Sequence, residues 1–240
     1  MSAALESLEP AWREAFELMW EAWRAGTIPV GAVLVDESGA VVRRARNRIF
    51  ENGDPVAPAD AVPDSDRDLF SSGLRPAPMS AEALTSAAQA TPASSLSRTR
   101  LAHAEMNLLV GLTSARTYEN WTLYTSLEPC LLCVGAAYAM RVGRLRFAGE
   151  DVYGGAAGRV RENDDMRAHP VAIEGPLEGP LGRLPELTHV AFFLLRRPEG
   201  NVIASYRVRR PELVERAARL LEVDRPGLTL AEATSLLDDV

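Results

Sequence analysis

Two short motifs constrain this chain more than any other feature of its sequence. One is His103-Ala-Glu105, and the other is Pro-Cys-Leu-Leu-Cys, which contains Cys130 and Cys133, the chain's only cysteines. A three-residue spacing on one helical turn brings the two thiolates to the same face, where they can bind one metal ion. His103 is the candidate for a third ligand. Three protein ligands leave the fourth position of a tetrahedral zinc open, as in a catalytic centre, and Glu105 is close enough to reach that position.

The Cys-x-x-Cys motif has two other interpretations. A strand leading into C-x-x-C at the start of a helix is also how a thioredoxin-like redox pair is built, but such a pair needs neither His103 nor Glu105. A structural zinc site would need a fourth protein ligand. The remaining histidines, His169 and His189, lie in no pattern that supports this role. The joined motifs therefore favour an open catalytic site.

The pairing of H-x-E with P-C-x-x-C resembles the zinc-dependent nucleobase and nucleoside deaminases of the cytidine deaminase superfamily. Within that superfamily, Ile-Pro-Val-Gly-Ala-Val-Leu-Val from Ile28, followed by a strand that ends with Asn47-Arg48, is similar to the tRNA adenosine deaminase branch. The resemblance covers roughly residues 11–47 and 101–158. It implies a Zn²⁺ cofactor, a homodimer and a hydrolase that acts on the C–N bonds of cyclic amidines.

The resemblance also implies roles for single residues. His103, Cys130 and Cys133 would hold the zinc. Glu105 would move protons while a zinc-bound hydroxide replaces an exocyclic amine with a carbonyl and ammonia leaves. The asparagine that matches Asn47 binds the target nucleoside in the tRNA adenosine deaminase branch.

Three further residues are expected to line the substrate pocket. The N–H of Ala104 would steady the tetrahedral centre that develops during the reaction. Pro29 and Gly31 belong to the apolar strand motif that carries the resemblance. A glycine inside a strand also marks a place where another group closely approaches the backbone.

The order of the elements predicts a three-layer α/β/α fold. Pro10 opens an amphipathic helix that ends by Gly26 and presents an aromatic stripe to the core. Residues 28–35 are almost continuously apolar, as in a strand covered on both faces, and they form a hairpin with residues 41–45. A helix (101–112), a strand (121–127), a helix (130–141) and a strand (145–149) follow. We therefore expect a mixed central sheet of five or six strands between helices.

The pattern is less regular in the last third of the chain. Proline and glycine break up residues 160–185, so the sequence pattern assigns no definite element there. His189–Leu195, with the sequence HVAFFLL, predicts a fifth strand, and Val202–Val208 predicts a sixth. Pro211 opens a closing helix, and a T-x-x-E capping box at residues 229–232 begins another.

Residues 51–100 differ in composition from the rest of the chain. Alanine, serine, proline and aspartate make up 29 of these 50 residues, which is too small and polar a mixture for a second core. We predict a single deaminase domain over residues 1–240, with 51–100 as an insertion containing a short helix at Ser80–Ala90, and with C-terminal helices at 211–240. The insertion directly precedes the histidine motif. It either covers the pocket mouth and restricts access to small substrates, or it is a passive surface loop.

Charge bears on the substrate. The chain has a formal net charge of −7 and a pI of about 5.1, and the insertion alone has seven acidic residues against four arginines. Phosphate contacts require basic surface, so a large nucleic-acid partner is disfavoured. A free base or nucleoside is the favoured substrate, and tRNA adenosine is the alternative. A catalytically idle zinc-binding interaction module is a third interpretation, which the intact Glu105 argues against.

The sequence also predicts a cellular location. No stretch approaches the ~20 uninterrupted apolar residues of a membrane-spanning helix. The first ten residues lack the basic and then apolar pattern of a signal peptide. Two cysteines at metal-binding spacing suit a reducing compartment, so we predict a cytoplasmic protein.

Overall fold

The structure is a computed structural model of the chain. It describes residues 3–51, 96–113, 115–162, 164, 167, 171–223 and 228–235. The helix predicted at Ser80–Ala90 and the side chain of His169 lie outside the described residues. Within the described part, none of the helices has both the length and the apolar composition of a bilayer-crossing segment.

Helices and strands alternate along the first half of the described chain, and helices dominate the second half. The helices are α1 (Ala3–Glu6), α2 (Pro10–Arg24), α3 (Ala104–Leu109), α4 (Leu131–Ala139), α5 (Pro180–Arg196), α6 (Asn201–Arg209), α7 (Pro211–Val223) and α8 (Leu230–Ser235), with a 3-10 helix at Ala157–Glu162. The strands are β1 (Gly31–Val35), β2 (Val41–Arg46), β3 (Tyr118–Leu127), β4 (Val142–Gly149) and β5 (Ala172–Glu174).

The described strands form one mixed sheet in the order β2-β1-β3-β4-β5. Strand β1 pairs antiparallel with β2 and with β3, whereas β4 lies parallel to both β3 and β5. A parallel pair requires a crossover connection, and α4 provides it between β3 and β4. The predicted α/β fold with a five- or six-stranded mixed sheet is confirmed.

Strand β1 shows why residues 28–35 are apolar. Ala32 and Leu34 face one side of the sheet, in a cluster with residues of α3 and α4. Val33 and Val35 face the other side, in a cluster with residues of α2 and α5. Both faces of the strand are therefore buried, so the sequence does not alternate between apolar and polar residues. The result is three layers, with the sheet in the middle.

The aromatic stripe of α2 is buried as predicted. Part of it packs on the sheet, and its C-terminal half contacts the helices at the end of the chain. The buried members are Trp12, Phe16, Met19, Trp20 and Trp23. Helix α2 thus joins the sheet to a second cluster formed by α5, α6, α7 and α8.

Gly31 lies where α2 approaches β1 most closely. A Cβ atom at this position would lie 2.2 Å from the carbonyl oxygen of Ala15 and 2.4 Å from the backbone nitrogen of Met19. Backbone atoms of a helix cannot move aside at low cost, so only glycine fits at this point. The predicted close approach is confirmed, and the approaching group is the backbone of α2.

The two strands predicted near the C-terminus are wrong. His189–Leu195 lies in helix α5, and Val202–Val208 lies in helix α6. Helix α5 packs against the sheet on one side and against the C-terminal helices on another. Most of its faces are therefore apolar, so its sequence does not show the hydrophobic period of a helix. In α6 the buried residues are Ile203 and Tyr206, which have the three-residue spacing of a helix face rather than the alternation of a strand. The fifth strand is instead Ala172–Glu174, at the edge of the sheet.

The closing helices follow the prediction. Helix α7 begins at Pro211. Thr229 and Glu232 form the capping box at the start of α8: the Thr229 hydroxyl accepts the Glu232 N–H at 3.2 Å, and the Glu232 carboxylate accepts the Thr229 N–H at 2.7 Å.

Both described ends of the 52–95 segment meet at Arg48. The N–H groups of Glu51 and Arg98 both donate to the carbonyl oxygen of Arg48, at 3.4 Å and 2.9 Å. The Arg48 N–H in turn donates to the carbonyl of Ala102 at 2.9 Å. The chain therefore leaves and rejoins the domain at one place, as expected for an insertion, and that place adjoins Asn47.

Replacing residues 52–95 with a short Gly/Ser linker is expected to preserve the fold and metal binding, because the two ends already lie close together and loop length affects stability only weakly. Thermal denaturation and zinc analysis of the shortened chain measure this. Loss of folding would show that the segment belongs to the core of the domain. Kinetics of the shortened chain on small and on polyanionic substrates would then separate the two roles considered for the insertion.

Candidate metal centre and active site

Three donor side chains converge where α3 and α4 begin. His103 directly precedes α3, Cys130 is the residue before α4, and Cys133 lies in the first turn of α4. The Nδ1 atom of His103 is 3.7 Å from the sulfur of Cys130 and 3.5 Å from that of Cys133, and the two sulfurs are 3.6 Å apart. Among the described residues, these three side chains form the group of His, Cys, Asp or Glu residues that could hold a metal ion. Their donor atoms all lie within 4.8 Å of one another.

The spacing of these donors fits a zinc ion. With Zn–S bonds of about 2.3 Å and a Zn–N bond of about 2.0 Å at tetrahedral angles, N···S separations are about 3.5 Å and the S···S separation is about 3.8 Å. The separations in the protein, 3.5, 3.7 and 3.6 Å, agree closely with these values. Three protein donors leave one tetrahedral position for water or substrate, as in catalytic zinc sites.

The ionisation of the donors also suits a metal. The contacts of its sulfur with Cys133 and with His103 lower the pKa of Cys130 to about 4, against the opposing effect of burial. The same sulfur contact, burial and the nearby Glu105 raise the pKa of Cys133. Burial disfavours the charged ring of His103, but the Cys130 sulfur and Glu105 outweigh it and raise the pKa of this histidine. The group thus contains a thiolate at neutral pH, the form that binds metals.

Glu105 lies beside the donor group without belonging to it. Its side chain is buried in the first turn of α3. The Thr125 hydroxyl donates to Oε1 at 2.7 Å, and the Cys133 thiol donates to Oε2 at 3.3 Å. Because Thr125 holds one carboxylate oxygen, the other is directed towards the metal donors. This position is suited to a group that moves protons at the open coordination position.

Asn47 is buried immediately after β2. Its Oδ1 accepts two hydrogen bonds, from the Thr27 hydroxyl at 2.8 Å and from the Ile49 N–H at 3.0 Å. Its backbone N–H donates to the carbonyl of Val30 at 2.8 Å. None of the hydrogen bonds among the described residues uses its Nδ2 donor, so the role of Asn47 at the substrate stays a prediction.

The other three residues predicted to line the substrate pocket have different surroundings in the structure. Pro29 is buried next to Val30, the residue bonded to the backbone of Asn47. Ala104 is the first residue of α3, where backbone N–H groups have no partner within the helix. Gly31 is explained by the close approach of α2, so its role at the substrate stays a prediction.

Sequence reasoning missed two supporting residues, Thr125 and Thr27. Thr125 lies in the run WTLYTSL, which was recognised as a strand, but its contact with Glu105 depends on how β3 packs on α3. Thr27 looked like a connection between helix and strand. Its hydroxyl holds Asn47 and also accepts the Phe50 N–H at 3.1 Å. A fully buried threonine beside a predicted site would have been the signal, but burial is not visible in the sequence.

A mixed sheet between helices, with an imidazole and two thiols converging beside a buried carboxylate, defines a zinc-binding α/β domain of the deaminase type. The chain belongs to the family described as the cytidine and deoxycytidylate deaminase zinc-binding region, whose model matches residues 5–148. The resemblance inferred from the motifs is therefore confirmed, and so is zinc as the cofactor that the family and the donor group imply.

Two curated relatives are similar to this chain over most of its length. The tRNA-specific adenosine deaminase of Haemophilus influenzae is 29% identical over 198 residues, which cover 81% of this chain and 87% of that protein. The tRNA(Ile)-lysidine synthase of Deinococcus radiodurans is 27% identical over 181 residues, covering 75% of this chain. That match spans 24% of the synthase, about a quarter of its length.

Solved structures with a similar fold include one from work on A-to-I editing by tRNA:A34 deaminases, with 22% identity, 69% of this chain and 96% of that chain covered, and a TM-score of 0.44. Another is a guanine deaminase from Nitrosomonas europaea, with 15% identity, coverage of 79% and 86%, and a TM-score of 0.40. A guanine deaminase from Bacillus subtilis has 23% identity, coverage of 59% and 63%, and a TM-score of 0.34.

Proposed function

We propose that this protein is a zinc-dependent hydrolytic deaminase that converts an exocyclic amine of a nucleobase or nucleoside into a carbonyl and releases ammonia. The observation that carries the proposal is the buried carboxylate of Glu105, held by Thr125 beside the triangle of metal donors. A structural zinc site or a redox dithiol does not need this carboxylate. Membership of a deaminase family supports the same class of reaction.

The residues of the chain can carry out the proton transfers of this reaction. When bound, zinc would supply Lewis acidity that lowers the pKa of water to about 7. Glu105 takes a proton from the attacking water and delivers it to a ring nitrogen of the substrate. The same carboxylate then takes the remaining proton from the hydroxyl that has added to the substrate carbon and passes it to the exocyclic amine. The C–N bond breaks, ammonia leaves and the carbonyl forms, so one water is consumed for each ammonia released. The N–H of Ala104 stabilises the tetrahedral centre.

Asn47 is proposed to orient the substrate. Its Oδ1 is held by Thr27 and Ile49, so the orientation of the amide is set before a substrate arrives. Its Nδ2 can then donate to an acceptor on the base or ribose. The Arg48 N–H bonds to the residue before His103, so Asn47 adjoins the metal centre.

Replacing Asn47 with aspartate is expected to lower kcat/KM by about 10–100-fold, since the substrate loses a donor and meets an acceptor in its place. Steady-state kinetics measure this, and zinc content should be unchanged. Asn107→Asp is the matched control. Asn107 is equally buried, but its amide nitrogen already donates to the carbonyl of Arg46 at 3.5 Å. Equal kinetic losses in both variants would contradict the substrate role of Asn47.

The substrate class is tested by ammonia release across free bases, nucleosides and an anticodon stem-loop. A small base or nucleoside is proposed because the chain is acidic, with a net charge of −7. The second candidate, tRNA adenosine, is favoured by the similarity that covers 87% of the Haemophilus tRNA-specific enzyme. Turnover of the stem-loop alone would select the second candidate. No ammonia release by zinc-loaded protein from any member would favour an idle zinc-binding module.

We also propose that the protein is a homodimer, as the resemblance to a homodimeric branch implies, and that the two copies associate through the outer face of α4. The sequence of α4, LLCVGAAYA, contains no charged residue, and Leu131 and Leu132 are exposed. Leu101 and Val110, which flank the two ends of α3, are exposed as well. Exposed leucines on a helix without charged residues support an interface at that helix.

Leu131→Arg is expected to convert the dimer into a monomer, because a charge would be buried at the interface without a partner. Sedimentation velocity measures the change, and zinc analysis confirms an intact metal centre. Leu195→Arg, at an exposed leucine on α5, is the matched control and should leave the assembly unchanged. The same sedimentation for wild type and Leu131→Arg would remove α4 as the interface.

The single-domain organisation and the cytoplasmic location stay predictions. The two ends of the 52–95 segment support the first, because both bond to one carbonyl oxygen. Both cysteines are free and lie in the donor group, which supports a reducing environment.

A further inference from the structure

The turn that follows β4 is bonded to the backbone around Cys130. Gly155 forms an isolated antiparallel bridge with Cys130, and the Ala156 N–H donates to the carbonyl of Pro129 at 3.0 Å. The position of this metal donor therefore depends on a turn that supplies no donor of its own.

Asp151 and Glu128 close this turn. The carbonyl oxygen of Asp151 accepts the Gly155 N–H at 2.9 Å, and the Asp151 N–H donates to the carboxylate of Glu128 at 3.3 Å. The other oxygen of Glu128 accepts the Ala157 N–H at 3.0 Å. A Cβ at Gly155 would lie 2.2 Å from the Glu128 carboxylate and 2.6 Å from the Asp151 carbonyl, so the packing is tight.

The carboxylate of Asp151 connects the turn to helix α6. Its Oδ1 accepts the N–H of Tyr153 inside the turn at 2.9 Å and the hydroxyl of Tyr206 in α6 at 3.4 Å. His189 in α5 faces the same oxygen, with Nε2 at 4.0 Å. Both ring nitrogens of His189 are buried without a hydrogen bond among the described residues, and burial lowers the pKa of this ring. Tyrosine hydroxyl and backbone N–H groups, rather than an ion pair, therefore hold the Asp151 carboxylate.

Helix α6 has two more contacts with the start of this turn. The guanidinium of Arg209 donates to the carbonyl of Val152, and Arg210, directly after α6, pairs with Glu150. Residues 150, 151 and 152 are thus each bonded to a residue of α6 or to Arg210, the residue that directly follows α6. This helix lies outside residues 5–148, which match the family model.

We propose that Asp151 is a positioning residue for Cys130, and that α6 supports the metal centre from outside the family-matched region by holding Asp151 through Tyr206. The inference rests on the metal centre of the proposed function. Asp151 touches neither substrate nor metal in this role. It acts by keeping the 151–157 turn, and with it the Pro129–Cys130 backbone, in the geometry that the donor triangle requires.

The test measures metal rather than turnover, so it gives an answer even if the substrate class is assigned wrongly. Asp151→Ala is expected to lower the zinc affinity, measured by chelator competition, by about 10–100-fold. This is the usual effect of losing a residue that supports the metal ligands. The thiolate-to-metal and d–d absorption bands of the cobalt-substituted protein should shift as well. Asp151→Asn should restore most of the affinity, because its Oδ1 still accepts from Tyr153 and Tyr206.

A pair of tyrosine variants separates positioning from general stability. Tyr206→Phe should lower the zinc affinity by about 2–10-fold, which corresponds to the loss of one hydrogen bond. The control is Tyr118→Phe, which removes an equally buried hydroxyl, bonded to Thr113 at 3.0 Å, at the far end of β3 from Cys130. It should leave zinc affinity and the cobalt spectrum unchanged.

Wild-type affinity and spectrum in folded Asp151→Ala would overturn the proposal. If Asp151→Ala does not fold, the tyrosine pair decides, and equal effects on metal in Tyr206→Phe and Tyr118→Phe would overturn it. A wild-type protein that takes up no zinc at all would instead refute the metal centre on which the proposed function depends.

Discussion

Replacing Glu105 with glutamine is expected to remove nearly all turnover while zinc and the fold are retained. The amide keeps the size of the side chain and can still accept from Thr125, but it cannot take a proton from water and pass it on. A positioned acid–base group contributes about 10²–10⁴-fold, and a group that serves several steps contributes more. Steady-state ammonia release with any accepted substrate, together with zinc analysis of the same preparation, measures the effect.

Glu186→Gln is the matched control for this variant. Glu186 is also a buried glutamate on a helix, and glutamine keeps the oxygen that accepts the Glu150 N–H at 2.9 Å. It should have nearly wild-type turnover. Near-normal activity of Glu105→Gln would place the proton transfers elsewhere and make the proposed mechanism wrong.

Cys133→Ser is expected to lose both zinc and activity. The wild-type protein should contain about one zinc per chain, and serine cannot replace a thiolate because its hydroxyl stays protonated at neutral pH. The loss of affinity should exceed the ~10–100-fold typical of residues behind the ligands, since a donor itself is removed. Elemental analysis of protein purified without a metal-binding tag measures zinc content.

The two variants are controls for each other. Glu105→Gln should keep zinc without turnover, whereas Cys133→Ser should lose zinc and turnover together. Wild-type zinc content in Cys133→Ser would show that Cys133 is not a ligand. Loss of zinc from Glu105→Gln would show that this carboxylate supports the metal rather than the proton transfers.

The similarity to known proteins defines the class of reaction more closely than it defines the substrate. The family match covers residues 5–148, and the donor triangle and Glu105 lie inside it. The C-terminal helices that hold the 150–152 segment lie outside it. We therefore expect variants in α6 to show whether residues outside the family-matched region stabilise the zinc centre. This result does not depend on the identity of the substrate.

The sequence by itself determined the parts of the protein that depend on short spacing. His103 and Glu105 are two residues apart, and Cys130 and Cys133 share one helical turn, so the chemistry of the donors can be read from neighbouring positions. The same holds for the aromatic stripe of α2, which repeats with the helical period. The continuous apolar run of β1 indicated a strand buried on both faces, and the structure agrees.

Only the tertiary structure decided the rest, because it depends on contacts between residues far apart in the chain. Thr125 holds Glu105 across 20 residues, and Tyr206 reaches Asp151 across 55. Burial on several sides also hid the helical period of His189–Leu195, so an apolar helix looked like a strand. A local pattern reports which face of an element is apolar, but it does not report which other element will cover that face.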